Sequence, residues 1–217
     1  EVLKHYNYFL QNDGSTDYSF FSGEIGTGWG RGDGLATNLP AKSPIPKAVN
    51  LRWLSLTENQ FYEGRFELPQ AKIEQMINDG YKNPHYRRKP TGEAFSSLTF
   101  GFAPGGGVIL WLWLDDHTQR EVAYFKAQPI DMDWREFLGG YTYTPRDEWI
   151  KRRFDSSPKH IQEMIRTNRL PIGLWEMYRT KYPWRLEVAG GLQEYWGEVV
   201  NGEQYMTFSK ELAAIQE

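Results

Sequence analysis

The sequence contains no cysteine among its 217 residues. This absence excludes a disulfide framework, a thiol nucleophile and every cysteine-based zinc or iron–sulfur site. No apolar run is long enough to cross a bilayer, since the longest, Val108–Leu114, has only the length of a strand. A basic excess is also missing: the formal net charge is −3, so we do not expect nucleic acid as a partner.

Histidine is scarce, with four residues, and none forms an H-E-x-x-H pair. Asp115, Asp116 and His117 make the most metal-like cluster, but consecutive residues of a turn diverge from one another and do not converge on one ion. We therefore interpret this cluster as a solvated hairpin turn and expect neither a metal nor a cofactor. A catalytic histidine can draw its partners from distant parts of a chain, so that role stays open for His117.

The glycine-rich stretch Gly26–Gly34 does not match a phosphate-binding loop. The dinucleotide fingerprint places its third glycine three residues after the second, whereas these glycines alternate, and no Walker Lys-Ser/Thr pair follows. We predict a flexible loop or a glycine-rich strand end here. No serine lies in a G-x-S-x-G motif, and the many Asp and Glu residues do not single out a catalytic pair.

Aromatic residues are abundant, at 16% of the chain, and they mark the clearest structural signal. Leu51–Leu56 and Phe61–Leu68 alternate in period two around a polar break at Thr57–Asn59, which predicts the two strands of a hairpin. Pro69 ends the second strand, and helical spacing of apolar residues then predicts a short amphipathic helix that ends near Gly80.

Further strands are predicted where apolar and aromatic residues alternate between turn signals. They cover about residues 3–10, 17–29, 97–102, 108–114, 121–130, 185–189, 192–200 and 203–209. The run Val108–Leu114 is apolar on both faces, which predicts a central strand that is covered on both sides.

Three short helices are predicted after residue 143. The first two begin with Thr144 and Ser157 as hydroxyl caps, each followed by proline, and the third spans Leu174–Arg179. Gly30–Lys47 and residues 81–94 are rich in loop-forming residues and are predicted loops. Four aromatic residues near the third helix are predicted to cover a sheet as core residues: Trp175, Tyr178, Tyr182 and Trp184.

Short strands joined by hairpins, with few helices, are typical of antiparallel sheet proteins. We therefore expect an α+β fold that is mainly antiparallel β, either a sandwich or an open barrel, with a few short helices packed on one side. The length suits one domain over residues 1–217, because no repeat, low-complexity segment or clear boundary interrupts the sequence.

Taken in order, several segments resemble a bacterial family known as domain of unknown function 2931. The resemblance covers a core of about residues 45–188 and is carried by Leu51–Ser55, Phe61–Pro69, Gly101–Leu112, Asp133–Trp134, Gly173–Tyr178 and Tyr182–Arg185. Each segment is short, whereas the ordered set is fairly specific. The family has no established catalytic residues, so the resemblance implies none in this chain.

The resemblance also implies a location. Members are typically lipoproteins of Gram-negative bacteria with a lipobox cysteine near the N-terminus, which this chain lacks. Because the chain begins at Glu1 without methionine, we expect that a signal peptide or an acylated first residue has been removed. The implied location is the periplasm, with the native form anchored to a membrane as a lipoprotein.

Genes of some family members resemble neighbours of type VI secretion phospholipase effectors. This implies a non-enzymatic immunity protein that binds a toxic lipase and occludes it through exposed aromatic and charged loop residues. The partner-binding candidates are Trp29, Arg31, Asp33, Asp115, Asp116 and His117. Two alternatives remain: an envelope lipoprotein with a structural role and, less favoured, an acid/base hydrolase that uses the scattered Asp and Glu residues.

Overall fold

A computed structural model describes residues 2–3, 6–18, 23–24, 29, 35–39, 44–82, 96–114, 118–140, 144–181, 196–201 and 203–208. In chain order the strands are β1 (Val2–Leu3), β2 (Tyr8–Leu10), β3 (Thr16–Asp17), β4 (Gly23–Glu24), β5 (Leu35–Leu39), β6 (Ala48–Ser55), β7 (Gln60–Glu67), β8 (Ser96–Ala103), β9 (Gly107–Leu114), β10 (Thr118–Lys126), β11 (Gln128–Ile130), β12 (Trp196–Asn201) and β13 (Glu203–Phe208). The helices are α1 (Gln70–Lys82), α2 (Trp134–Phe137), α3 (Arg146–Ser156), α4 (Lys159–Arg166) and α5 (Leu174–Tyr178).

Within the described residues, the strands form two sheets in which every pairing is antiparallel. The first sheet runs β11–β7–β6–β1–β4, with β2 also paired to β6 and β3 paired to β2. The second runs β12–β13–β10–β9–β8–β5. The chain passes from the second sheet to the first at Ala127, whose N–H donates to Gly106 O at 2.8 Å. The predicted α+β fold with mainly antiparallel strands is confirmed.

The hairpin β6–β7 follows from its alternating sequence. Leu51 and Trp53 are completely buried on the face toward the second sheet, while Arg52 points away. Trp53 pairs with Tyr62 across the two strands, and their rings stack with centroids 5.4 Å apart. The predicted hairpin and the helix after it are therefore confirmed, although α1 continues two residues past Gly80.

Aromatic rings join the inner faces of the two sheets. The ring pairs are Phe9 with Phe100 at 6.1 Å, Trp53 with Phe102 at 4.9 Å and Phe66 with Phe125 at 4.7 Å. The sheets thus pack face to face as a sandwich, one of the two predicted architectures. The strand β9 lies between β8 and β10, and Val108–Leu112 is buried along its whole length, as predicted for a central strand.

The helices adjoin the sandwich in two places. Ile73 of α1 is completely buried in the core between the sheets. Phe137 of α2 packs with Leu54 and Phe61 in a second cluster on the outer face of the first sheet, to which α3 adds Trp149. The helices α3, α4 and α5 contain no buried residue. They lie against the sandwich surface and add little to its core.

The single strand predicted at residues 3–10 is divided into β1 and β2. Between them, Asn7 Oδ1 accepts from Arg52 N at 2.7 Å, and Asn7 Nδ2 donates to Arg52 O at 3.3 Å. The side-chain amide thus takes the place of a ladder pair on β6, and the chain bulges around it. The prediction at residues 17–29 likewise contains β3 and β4, followed by a turn at Trp29.

The loop predicted at Gly30–Lys47 contains a strand, so that prediction was wrong in part. The strand β5 pairs along β8 from Leu35↔Phe100 to Leu39↔Ser96. Backbone pairing with a strand remote in sequence overrides the flanking glycine and proline signals. The loop predicted at residues 81–94 begins later, because α1 reaches Lys82, and residues 83–94 and 185–189 lie outside the described residues.

The predicted hydroxyl caps of α3 and α4 were also wrong. Pro145 and Pro158 occupy the N-cap positions without side-chain hydrogen bonds. Thr144 O instead accepts from Trp134 Nε1 at 2.9 Å, and Ser157 Oγ donates to the backbone of α3. The unpredicted helix α2 is capped by Asp133, whose Oδ1 accepts two backbone N–H groups at 2.9 and 3.0 Å.

Candidate functional site

Of the partner-binding residues predicted from sequence, only Trp29 is described. Its half-buried ring lies edge-on to Trp111, with centroids 5.1 Å apart, and Trp111 belongs to the central strand of the second sheet. Trp29 therefore covers part of that sheet's outer face. Five candidates lie outside the described residues and stay predictions: Arg31, Asp33, Asp115, Asp116 and His117.

A cleft of about 800 Å³ lies at one end of the sandwich. The turn between β6 and β7 forms one wall, with Leu56 and Tyr62, and helix α3 forms the opposite wall with Ile150 and Phe154. The two α3 residues are four positions apart and so share one helix face. The sequence thus brings two apolar surfaces together that are about ninety residues apart in the chain.

Glu58 lies in this cleft and is held by three donors. Its Oε2 accepts from Ser55 Oγ at 2.7 Å, and its Oε1 accepts from Tyr62 Oη and from Gly105 N, both at 2.9 Å. Because Gly105 belongs to the turn between β8 and β9, the carboxylate joins the hairpin turns of the two sheets. Glu58 therefore fixes the shape of the cleft floor.

Apolar side chains are exposed in the cleft lining and on helix α5. Ile172, Met177 and Tyr178 have 59%, 68% and 45% of their surface exposed, and Ile172 also lines the cleft. We call these three residues the apolar rim. Helix α5 buries neither Trp175 nor Tyr178, so the prediction that both are core residues was wrong. Adjoining exposed apolar residues are typical of interaction surfaces. Tyr182 and Trp184 lie outside the described residues.

Polar contacts attach α5 to strand β10. Glu176 accepts a hydrogen bond from the Tyr124 hydroxyl and pairs with Lys126 Nζ at 3.2 Å. The Tyr124 hydrogen bond, followed by the Lys126 contact, lowers the pKa of Glu176. Burial, with the Glu176 bond as a second cause, raises the pKa of Tyr124. Arg179 Nη2 also donates to Glu121 Oε1 at 2.7 Å, so α5 is held mainly at its polar edge.

The cleft is lined by apolar, polar and charged side chains, among them the carboxylates of Glu58 and Asp147. Across the part of the chain that the structure describes, no three His, Asp or Glu residues are placed to hold a metal ion together. The cleft carboxylate Glu58 is already occupied by its three donors. The cleft offers another molecule a depression whose lining is part apolar and part polar, with Lys151 and Arg153 among its charged residues.

Sequence reasoning missed this cleft because its walls are distant in the chain. One signal was available: Ile161, Met164 and Ile165 share a face of α4 in an otherwise polar segment, yet all three are only half-buried. An apolar helix face that the domain core does not use marks a surface for another contact. The second described depression, near Asp131 and Arg146, is smaller, at about 360 Å³.

None of the five described helices has the length and apolarity needed to cross a membrane.

The comparisons with known proteins place the chain at the level of a family. No curated protein and no solved structure matches the chain. A family described as "Protein of unknown function (DUF2931)" matches residues 4–173, which is well over half of the sequence and includes both sheets' central strands and most of the cleft. The chain therefore belongs to the DUF2931 family.

Proposed function

We propose that this chain is a non-enzymatic binding protein that recognises a secreted lipase effector and occludes it, as an immunity protein does. The observation that carries the proposal is the cleft, with apolar Ile172 exposed in its lining and Met177 and Tyr178 exposed on α5. Exposed apolar anchors next to a depression supply most of the affinity at protein interfaces. The resemblance noted from sequence supplies the class of partner.

Occlusion needs a surface that keeps its shape when the partner binds. The aromatic core of the sandwich and the three bonds to Glu58 supply this rigidity on the sheet side of the cleft. A preorganised surface loses little conformational freedom on association, which favours tight binding. The effector's substrate entrance would be covered, and lipid would be excluded from it.

The proposed location follows from the same resemblance. The native protein would reside in the periplasm, tethered to a membrane by an acylated cysteine ahead of the present first residue. There it would meet an effector before that enzyme reaches phospholipid. Trp29, Arg31, Asp33, Asp115, Asp116 and His117 remain candidates for further contacts to the effector.

The test is binding to, and inhibition of, the lipase encoded by a neighbouring gene. Calorimetry with the purified lipase should give a dissociation constant in the micromolar range or tighter, and lipid hydrolysis should fall as the chain is added. The variant Ile172→Asp should weaken binding by at least about tenfold, since Ile172 lines the cleft and is 59% exposed. Tyr18→Asp is the matched control, because Tyr18 is 60% exposed but lies on the β2–β3 side. Absence of a complex, together with undiminished lipase activity, would reject the proposal and favour a structural envelope role.

A further inference from the structure

We propose that the cleft receives an acidic segment of the protein partner, one that carries an apolar side chain at its tip. This inference rests on the proposed function, because it specifies the chemistry of the surface that the partner brings to the cleft. The net charge of the whole chain, −3, suggests the opposite partner, a basic one. The local charge around the cleft decides between the two.

The helical segment is basic in an acidic protein. Residues 144–181 contain nine Lys or Arg and five Asp or Glu, a net charge of +4 with histidine neutral. Four cations of this segment are exposed within two residues of a residue that lines the cleft: Arg152, Lys159, Arg166 and Arg169. Three acids meet the same measure, Glu148, Asp155 and Glu163, so the border on the helical side keeps a net charge of +1 and attracts carboxylates at close range, chiefly beside Lys159 and Arg169.

Two carboxylates also line the cleft and must be accounted for. Glu58 is held by its three donors, and Asp147 is exposed on α3. Lys151 and Arg153 also line the cleft, so the formal charges of the lining cancel, and its surface is part apolar and part polar. An apolar side chain fits this interior, while acidic neighbours fit the border at Lys159 and Arg169.

The shape of the surface favours a protein segment over an anionic membrane. A bilayer is flat on the scale of this depression and would leave its roughly 800 Å³ interior unfilled. A short protruding segment fills it and buries Ile172 and Phe154 at the same time. An anionic membrane has the same charge complementarity, so the experiment must separate the two.

The first arm uses the neighbouring lipase and two charge-matched variants. Lys159→Glu/Arg169→Glu and Lys47→Glu/Arg65→Glu change the net charge equally, and all four side chains are exposed. The first variant should weaken binding by at least about tenfold and reduce its salt dependence, whereas the second should change affinity by less than about twofold. Thermal melting checks that both variants fold. Equal effects of the two variants would overturn the cleft inference while leaving the proposed function intact.

The second arm does not depend on the lipase. A short fluorescent peptide with leucines at helical spacing among glutamates should bind the wild-type chain, and should bind Lys159→Glu/Arg169→Glu more weakly. The same peptide with lysines in place of glutamates should not bind. If the lipase fails to bind but the acidic peptide binds in this pattern, the inference stands and the proposed function falls. Binding to phosphatidylglycerol vesicles without binding to the acidic peptide, or binding to neither probe, overturns the inference.

Discussion

The hairpin β6–β7 and the helical segment 144–178 face each other across the cleft and are built in opposite ways. In the hairpin, Leu51, Trp53 and Phe61 are at most 1% exposed and pack in aromatic clusters. In the helical segment, none of the residues in its three helices is buried. Trp149 and Ile150 of α3 pack half-buried on the second cluster, and polar contacts attach α5. The comparison teaches that one wall of the cleft is rigid through burial, while the other can adjust to a partner.

The largest effect expected from this contrast is the loss of Trp53. Trp53→Ala removes a ring that stacks on Tyr62 and contacts Phe102 edge-on, and it should lower the free energy of unfolding by about 3–5 kcal/mol. Met177→Ala in the apolar rim should change it by less than about 0.5 kcal/mol. Urea denaturation measures both values. Similar losses for the two variants would show that the helical segment belongs to the same cooperative core.

The sequence predicted the rigid side of this comparison well. Alternation in Leu51–Leu68 reports burial directly, because a strand that faces a core on one side must place apolar residues at every second position. The helical segment was predicted as helices but not as a surface. Its half-buried apolar residues, such as Ile161 and Ile165, have the same periodicity as core residues, and only the fold shows how much of them stays exposed.

A second, smaller effect tests how closely the hairpin turns approach each other. Gly106 has φ +78°, and a Cβ there would lie 2.8 Å from both Ala127 O and the Tyr62 ring. Gly106→Ala should lower the free energy of unfolding by about 2–4 kcal/mol, from backbone strain and from the displaced neighbours. Gly14 is the matched control, since it has φ +85° with open space around it. Gly14→Ala should cost only about 1 kcal/mol, for strain alone. Equal losses of unfolding free energy in the two variants would mean that the β8–β9 turn does not pack against Ala127 and Tyr62.

The third effect concerns the carboxylate that joins the two turns. Glu58→Gln exchanges the charged acceptor of three hydrogen bonds for a neutral amide, which accepts more weakly, so it should lower the free energy of unfolding by about 1–3 kcal/mol. Glu67→Gln, on an exposed position of β7, should have almost no effect. Chemical denaturation compares them. If Glu58→Gln changes the free energy of unfolding no more than the control does, the three hydrogen bonds of Glu58 do not stabilise the cleft.

The candidate site shows the limit of prediction from this sequence. Trp29 was selected as an exposed loop anchor, yet it rests on Trp111, a contact set by the outer face of the second sheet. The cleft depends on Tyr62 and Phe154, which no local pattern connects. Periodicity reports which face of an element is apolar, but the pairing of faces from distant elements is decided by tertiary packing.

The smallest effect lies at the polar attachment of α5 and concerns titration more than stability. Because the Tyr124 hydrogen bond is the largest single cause of the lowered pKa of Glu176, Tyr124→Phe should raise that pKa toward the ordinary value of 4.5. Because its pKa is lowered in the folded state, the ionised Glu176 carboxylate stabilises the folded protein fully above pH 4.5. This contribution is lost as the pH falls through the pKa of the folded state. Carbon-13 NMR of the Glu176 carboxyl group measures the pKa in the wild-type chain and in the variant. An unchanged pKa of Glu176 in Tyr124→Phe would show that other contacts, such as Arg179 with Glu121, hold α5 on the sheet. Helix α5 would then stay in place without the tyrosine, and any movement of the helical wall toward a partner would have to occur in α4.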